Sequence, residues 1–446
     1  MTGLYRCVCL GILLFLMGEH ARAVTTHSPD HSQQNRKPDF KFSFGTQPRR
    51  GFIEAPVDLI YNPQRGYGFM SPTDLQAHAR SVCGGNKPFL FSVDVPEGNY
   101  DVTFALGDSE GESITTVKGE ARRLFVERLH LPRDRFEKQS FTINVRYKEL
   151  ANGTAVHLKK DEENDFDWDH RLTFEFNDAH PCISSLEIKR NERAVTVYIA
   201  GDSTVTDQRR EPWAAWGQML PRFFRPGVAI ANHAESGESL KSFIGENRMA
   251  KILETIKAGD YLFVQFAHND QKPGPSHVDA FTSYKEHLQR YIREATKHGA
   301  IPVLVTSMHR RRFDGQGTII NTLEDYPEAM RQVAKEQKVA LIDLNSMSKT
   351  LFEALGPEGT LKAFVHFPAH TFPGQGEELK DDTHFNGYGA YELARCVVEG
   401  IKQANLPLRQ YLRNQPVRFD PAHPDPVSEW KLPLSPSAIE EKSEGN

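Results

Sequence analysis

Two short segments, far apart in the chain, carry residue types that together could hydrolyse an ester. Ser203 directly follows an apolar run, and Asp381 precedes His384 by three residues. A serine hydroxyl becomes a nucleophile only when a neighbouring base takes its proton, and that base needs a carboxylate to orient it. We therefore predict that Ser203 is the nucleophile, His384 the base and Asp381 its orienting group, with Asp381 and His384 in one turn.

Acyl transfer by a serine also requires hydrogen-bond donors for the oxyanion that forms on the attacked carbonyl. The sequence offers the backbone N–H of Ser203, the backbone N–H of Gly237 and the side-chain amide of Asn269. Glycine suits its position because only backbone is wanted there and a side chain would crowd the substrate. Each donor of this kind is typically worth ~10²–10³ in rate. We predict these three residues as the oxyanion hole.

These residues follow strands that are predicted in the second half of the chain. Apolar strands are expected over residues 195–200, 228–232, 261–266, 301–307 and 339–344, and helices over 213–224, 247–257, 281–298, 327–337 and 387–404. Strands that alternate with helices are typical of a parallel sheet covered on both faces, a three-layer α/β/α fold. Ligands of such folds bind beyond the carboxyl ends of the strands, so we expect the named residues to meet there.

Taken in order, the segments resemble the four conserved blocks of the SGNH (GDSL-type) hydrolases, over about residues 195–406. The matching residues are Gly201-Asp202-Ser203, Gly237, His268-Asn269-Asp270 and Asp381-x-x-His384. Within that superfamily, residues 198–204, 265–270 and 381–390 look most like rhamnogalacturonan acetylesterases. The resemblance implies the roles named above and an enzyme that removes acetyl groups from pectic rhamnogalacturonan. The chain departs from the family at Ala267, where glycine is usual, and at Glu238, where a basic residue is frequent.

A pectic substrate carries carboxylates, so cations are expected around the predicted crevice. Arg310 and Arg311 follow the strand at 301–307, residues 209–210 are two arginines beyond the nucleophile, and Lys272 lies just past the third block. Arginine forks suit carboxylates, and Trp213 could stack on a sugar ring. We predict that Arg310, Arg311, Lys272 and Trp213 bind substrate. The alternatives are a solvated charge run and a core tryptophan.

The region before the hydrolase segments is predicted to be an all-β domain. Residues 40–190 contain short β-rich runs broken by turn residues, without helical periodicity, which is typical of an antiparallel β-sandwich. This region resembles the galactose-binding-like modules that precede the esterase domain in some bacterial relatives. Its aromatic residues Tyr61, Tyr67 and Phe69 would either contact carbohydrate or, as aromatic stripes usually do, pack the sandwich.

The N-terminus and the cysteines predict an exported protein. Residues 1–23 contain a basic residue, an apolar run and a small-x-small ending, the pattern of a signal peptide. We expect a secreted or periplasmic protein with a flexible leader over 24–39, the hydrolase domain over 195–415 and a surface tail over 416–446. In an oxidising compartment Cys83 could pair with Cys182, while Cys396 stays reduced.

Composition and missing motifs exclude several function classes. The chain has 446 residues with 54 Lys+Arg and 59 Asp+Glu, a net charge of −5, so we expect no nucleic-acid or membrane partner. Zinc-finger spacings, HExxH, Walker and GxGxxG motifs do not occur, and we predict no metal or cofactor. The alternatives are an acetylxylan or broad-specificity carbohydrate acetylesterase, a lipase or thioesterase, a metal-dependent phosphoesterase, and a non-catalytic carbohydrate-binding protein.

Overall fold

The structure is a computed structural model in which residues 39–70, 74–414 and 418–436 are described. The predicted signal peptide and nearly all of the predicted leader lie outside the described residues. The described residues all belong to one compact unit. Two β-sheets occupy its N-terminal half, and a parallel sheet with helices occupies its C-terminal half.

The N-terminal half consists of short strands joined by turns. They are β1 (Phe40–Phe44), β2 (Ile53–Ala55), β3 (Tyr67–Phe69), β4 (Gln76–Ala77), β5 (Val82–Cys83), β6 (Phe89–Asp94), β7 (Gly98–Leu106), β8 (Ser113–Gly119), β9 (Arg123–Leu131), β10 (Glu137–Val145), β11 (Arg171–His180) and β12 (Cys182–Arg190). One sheet has the order β10-β7-β12-β1-β2, with β5 also paired to β12 and β4 to β5, and the other has the order β3-β6-β11-β8-β9. The pairs are antiparallel except β1 with β2.

An aromatic core joins the two sheets, as the alternation of apolar residues along the strands requires. Phe42 of β1 and Phe91 of β6 pack edge to face with ring centroids 5.2 Å apart, and Phe104 of β7 contacts Phe174 of β11 at 4.9 Å. Phe69 is fully buried in the same core. Packing therefore explains Phe69, and the predicted antiparallel β-rich region is confirmed.

The C-terminal half alternates strands with helices. Its strands are β13 (Val195–Gly201), β14 (Val228–Asn232), β15 (Tyr261–Gln265), β16 (Ile301–Val305), β17 (Ala340–Ile342), β18 (Phe364–Phe367) and β19 (Leu379–Phe385). Its helices are α1 (Trp216–Met219), α2 (Leu240–Gly245), α3 (Arg248–Thr255), α4 (Lys285–Lys297), α5 (Tyr326–Gln337), α6 (Leu344–Thr360) and α7 (Gly387–Gln403). A π-helical turn, Ala280–Tyr284, precedes α4, and 3-10 turns occupy Leu220–Phe223, Pro407–Tyr411 and Val427–Glu429.

The parallel sheet has the order β14-β13-β15-β16-β17 and is covered on both faces. Successive residues of β13 point to opposite faces. Val197 and Ile199 join a core with α1, α6 and α7, whereas Tyr198 and Ala200 join a core with α2 to α5. The predicted three-layer α/β/α fold is confirmed.

The segment that carries Asp381 and His384 differs from the prediction. We expected a turn, but both residues lie in strand β19, which forms an antiparallel hairpin with β18. The helix expected over 213–224 is also shorter, because α1 passes into the 3-10 turn at Pro221. Helices α2 and α6 were not predicted.

The C-terminal segment expected to be a surface tail is attached to the rest of the molecule. Lys118 of β8 donates hydrogen bonds to the Pro433 carbonyl at 2.9 Å and to Ser435 Oγ at 2.7 Å. Tyr388 of α7 donates to the Asp425 carbonyl at 2.7 Å. Residues 418–436 therefore run from the hydrolase helices back to the sandwich.

The cysteine prediction is confirmed, since Cys83 and Cys182 form a disulfide between β5 and β12. Cys396 lies buried and unbridged in α7. Within the described ranges, no helix has the length and apolar character needed to cross a membrane.

Candidate active site

The structure brings Ser203, His384 and Asp381 together at the carboxyl edge of the parallel sheet. Ser203 Oγ lies 2.8 Å from His384 Nε2, and His384 Nδ1 lies 2.9 Å from Asp381 Oδ2. Both distances are within the range for hydrogen bonds. Ser203 is 4 % exposed and His384 is 5 % exposed. This arrangement can move a proton from the hydroxyl to the imidazole while the carboxylate stabilises the imidazolium.

Strand β19 fixes the imidazole through local hydrogen bonds. Asp381 Oδ1 accepts the backbone N–H groups of Thr383 at 2.9 Å and His384 at 3.0 Å, which leaves Oδ2 for the imidazole. Asn386 caps α7 by accepting the Gly389 N–H, and it donates to the Phe364 carbonyl of β18. Strand β19 is therefore held by its neighbour β18 and by the start of α7.

The predicted oxyanion donors lie in loops that touch each other. Asn269 Nδ2 donates to the Glu238 carbonyl at 3.0 Å, and Glu238 directly follows Gly237. An amide nitrogen carries two hydrogens, so this contact orients the group and leaves one N–H for an oxyanion. Gly237 has φ +80, in the left-handed region that favours glycine. Glycine is therefore favoured at this position by the backbone conformation as well as by the space that the substrate needs.

Comparison with known proteins gives the family. Residues 199–390 match the GDSL-like lipase/acylhydrolase family. The rhamnogalacturonan acetylesterase RhgT of Bacillus subtilis is 43 % identical over 223 residues, which is 50 % of this chain and 95 % of that protein. The chain belongs to the GDSL-like lipase/acylhydrolase family. It is a carboxylic ester hydrolase, as predicted.

Two further Bacillus subtilis proteins are similar to this GDSL-like hydrolase. The probable rhamnogalacturonan acetylesterase YesY is 38 % identical over 217 residues, which is 48 % of this chain and 95 % of that protein. The uncharacterized esterase YxiM is 28 % identical over 396 residues, which is 82 % of this chain and 91 % of that protein. The match to YxiM therefore extends well beyond the length of the hydrolase half.

The nucleophile of this GDSL-like hydrolase is supported by residues that the sequence pattern did not single out. Gln208 Nε2 donates to the Ser203 carbonyl at 2.7 Å. Arg122, in the turn between β8 and β9 of the sandwich, donates to the Gln208 carbonyl at 2.8 Å. Arg122 lies in the sandwich half and belongs to none of the segments with catalytic residue types, so the sequence pattern gave no signal for it.

A buried acid lies beside the nucleophile. Burial raises the pKa of Asp202, but the nearby His268 imidazole and the hydrogen bonds from Thr204 outweigh burial and lower that pKa below its usual value. Burial lowers the pKa of His268, whose Nδ1 lies 3.5 Å from Asp202 Oδ2. Asp202 therefore holds the turn after β13 as an anion, with Oδ1 accepting both the N–H and the hydroxyl of Thr204.

The prediction that Trp213 stacks on a sugar ring is wrong. Trp213 is 3 % exposed, so it presents no ring face to a substrate, and Trp216 is fully buried. Trp216 Nε1 donates to Gln265 Oε1 at 2.8 Å, and Gln265 Nε2 donates to Thr204 Oγ1 at 2.9 Å. The alternative of a core tryptophan was therefore right.

The predicted cations have partners within the protein. Arg310 donates to Thr322 and to the His268 carbonyl. Arg311 pairs with Asp382 at 3.1 Å, next to Asp381. Lys272 is exposed just beyond Asn269. Substrate binding by Arg310, Arg311 and Lys272 stays a prediction.

The first arginine beyond the nucleophile is already paired with acids of the protein. Arg209 is nearly buried among carboxylates, including Asp165 at 3.1 Å and Glu162 at 3.4 Å. Because its charge is paired with those acids, Arg209 is unsuited to bind the carboxylates of a substrate, for which it was considered. Arg209 also pairs with Glu235, which follows β14, so its guanidinium joins acids of the sandwich half to a loop of the hydrolase half.

One group in the described part of the chain has side chains close enough to share a metal ion. It consists of Cys83, Asp108, His180 and Cys182. The group lies in the sandwich, and its two cysteines are bonded to each other. That the reaction needs no metal stays a prediction, which the chelation experiment below tests.

We expect Asn269→Ala to lower kcat for a neutral aryl acetate by ~10²–10³, with KM changed less than about threefold. The reason is that the amide stabilises charge that exists only in the transition state. Initial rates measure the effect. Asn321→Ala, on an exposed loop, is the matched control and should keep full activity. Equal activity of both variants would remove Asn269 from the oxyanion hole.

A second prediction concerns Asp270, whose carboxyl is fully buried. Burial raises its pKa to about 8, and Oδ1 accepts the Leu240 N–H at 2.9 Å. The folded state therefore keeps a proton that the unfolded chain loses above about pH 4. The contribution of this group to the free energy of unfolding consequently falls as pH rises from about 4 to about 8.

We expect Asp270→Asn to weaken this pH dependence, since the amide mimics the protonated carboxyl and does not titrate. Thermal unfolding of both proteins at about pH 5 and about pH 8 measures it. The melting temperature of the wild type should fall relative to that of the variant at the higher pH. Parallel changes in the two proteins would contradict the assignment.

Proposed function

We propose that this protein removes O-acetyl groups from pectic rhamnogalacturonan through a covalent acetyl-serine intermediate. The observation that carries the proposal is the 2.8 Å distance between Ser203 Oγ and His384 Nε2, with Asp381 2.9 Å behind the imidazole. A serine in that position can attack an ester carbonyl once its proton moves to the base.

The reaction has two steps. Ser203 Oγ attacks the acetyl carbonyl as its proton passes to His384, and the oxyanion is held by the N–H groups of Ser203, Gly237 and Asn269. His384 then gives the proton to the departing sugar hydroxyl, which leaves an acetyl-serine. Water, deprotonated by His384, attacks that ester, and acetate leaves as the proton returns to Ser203.

The proposed substrate rests on the similarity to relatives. The relatives that are 43 % identical over 223 residues and 38 % identical over 217 residues are named a rhamnogalacturonan acetylesterase and a probable rhamnogalacturonan acetylesterase. Export of the protein is part of the proposal. The disulfide between Cys83 and Cys182 supports it, because such bridges persist in oxidising compartments.

The experiment measures acetate released from acetylated rhamnogalacturonan, acetylated xylan, an aryl acetate and a long-chain aryl ester. We expect the highest kcat/KM among the polysaccharides for rhamnogalacturonan, and unchanged rates after treatment with EDTA. Preference for xylan would favour the acetylxylan esterase alternative, and preference for the long-chain ester would favour a lipase. Loss of activity with EDTA would favour metal-dependent hydrolysis, and no release from any ester would favour a carbohydrate-binding protein.

A further inference from the structure

A segment of the sandwich half crosses to the loop that carries Gly237. This crossing segment, residues 148–170, connects β10 with β11. Its backbone accepts a hydrogen bond from Asn247 at the Ala155 carbonyl, 2.9 Å, and the His157 N–H donates to the Glu246 carbonyl at 3.0 Å. The segment therefore lies along the start of α3 in the hydrolase half.

A buried ion pair anchors the crossing segment. Arg248 of α3 is fully buried and donates through Nη1 to Glu162 Oε1 at 3.1 Å. Trp168 donates to the same oxygen at 3.1 Å, and its ring lies edge to face against His233 with centroids 5.4 Å apart. Removing one partner of such a pair would leave a buried charge, so the segment is held firmly in place.

Lys159 extends from this anchored segment to both sides of Gly237. Its Nζ donates to the Ser236 carbonyl and lies 3.2 Å from Glu238 Oε1. The lysine side chain is 17 % exposed and the Glu238 carboxylate 1 % exposed. Ser242 Oγ donates to the other oxygen of Glu238 at 2.7 Å. The cation and the acid therefore form a fixed pair around the glycine.

The contact with Ser236 bears directly on the oxyanion donor. The Ser236 carbonyl and the Gly237 N–H belong to one planar trans peptide, in which C=O and N–H point in opposite directions. Because Lys159 binds the Ser236 carbonyl, the N–H of Gly237 points away from the lysine. A charge-assisted bond to the oxygen also polarises the peptide and makes its N–H a stronger donor.

We infer that Lys159, supplied by the sandwich half, is a positioning residue that orients and polarises the Ser236–Gly237 peptide for transition-state stabilisation. The inference rests on the proposed function, because it concerns the oxyanion donor of that reaction. It also gives the sandwich half a role in the active site.

The test compares kinetic constants for a neutral aryl acetate. We expect Lys159→Met to lower kcat by ~10–10², less than full loss of a donor, with KM changed less than about threefold. Lys159→Arg keeps the cation and should recover most of the activity. Lys160→Met, at the exposed neighbouring position, is the matched control and should match the wild type. Unchanged kcat in Lys159→Met, with an active wild type, would overturn the inference and leave the proposed function standing.

A double variant separates the carbonyl contact from the ion pair. Lys159→Met leaves the Glu238 carboxylate buried without its cation, which by itself could disturb the loop. Adding Glu238→Gln removes that charge. If the double variant regains the wild-type kcat, the ion pair alone mattered and the inference is wrong. If kcat stays low while thermal unfolding matches the wild type, the contact with the Ser236 carbonyl is the cause.

A spectroscopic measurement tests the same contact without catalysis. In protein labelled with ¹⁵N-glycine, the Gly237 amide is assigned by its loss in Gly237→Ala. We expect its proton resonance to move upfield in Lys159→Met, because the carbonyl of that peptide loses its cation, and to stay in place in Lys160→Met. An unmoved Gly237 resonance in Lys159→Met would overturn the inference even if no ester were hydrolysed.

Discussion

Ser203→Ala should lower kcat by ~10³–10⁶ with every ester that the wild type accepts. The variant lacks the hydroxyl that attacks the ester after giving its proton to His384, whose Nε2 lies 2.8 Å from the Ser203 oxygen. Substrate binding and all three oxyanion donors, including the backbone N–H of residue 203, stay in place, so the residual rate should exceed that of the uncatalysed reaction. Acetate release and aryl acetate hydrolysis both measure this effect.

The matched control for Ser203→Ala is Ser346→Ala, which removes an exposed hydroxyl on α6. It should leave kcat within about twofold of the wild type. Mass spectrometry of enzyme quenched during turnover gives an independent readout, since an added acetyl group should be found on the peptide with Ser203. A Ser203→Ala variant with nearly full activity would end the proposal of an acetyl-serine intermediate.

The second large effect is expected for Asp381→Asn, which should lower kcat by ~10³–10⁴. The side-chain oxygen of asparagine can still accept the N–H groups of Thr383 and His384, as Asp381 Oδ1 does. Its NH₂ group would then face His384 Nδ1 and donate to it. The imidazole would carry its proton on Nε2, where it could not accept one from Ser203.

Asp382→Asn is the control, because it changes the neighbouring acid in the same strand. Asp382 accepts hydrogen bonds from His366 at 2.9 Å and from Arg311 at 3.1 Å, and neither partner is part of the triad. We expect kcat within about tenfold of the wild type. Equal losses in the two variants would mean that Asp381 acts only by holding the strand.

Much of the fold followed from local patterns. The apolar runs at 195–200, 228–232 and 261–266 are strands, because a strand buried on both faces needs no polar residues. The hairpin of β18 with β19 was missed because Asp381, Asp382 and Thr383 in the middle of β19 are polar and half-buried and show no apolar alternation. Helix α2 has six residues, too few for a recognisable period.

Local chemistry could name the reacting groups but not their surroundings. Trp213 and Arg209 follow the nucleophile in sequence, and that position alone suggested contact with substrate. The tertiary fold buries the indole and surrounds the guanidinium with acids such as Asp165. Neither outcome is encoded in spacing, because both depend on side chains that lie elsewhere in the chain.

The sequence by itself determined which side chains carry the chemistry and at which edge of the sheet they gather. Ser203, Gly237 and Asn269 each follow a strand, and strand direction in a parallel sheet brings such positions together. Only the tertiary structure decided how those groups are held. Arg122 and Lys159 extend from the sandwich half to the loops that carry Ser203 and Gly237. A charged side chain that is largely removed from water needs polar partners, and only the packing of the two halves brings those partners to it.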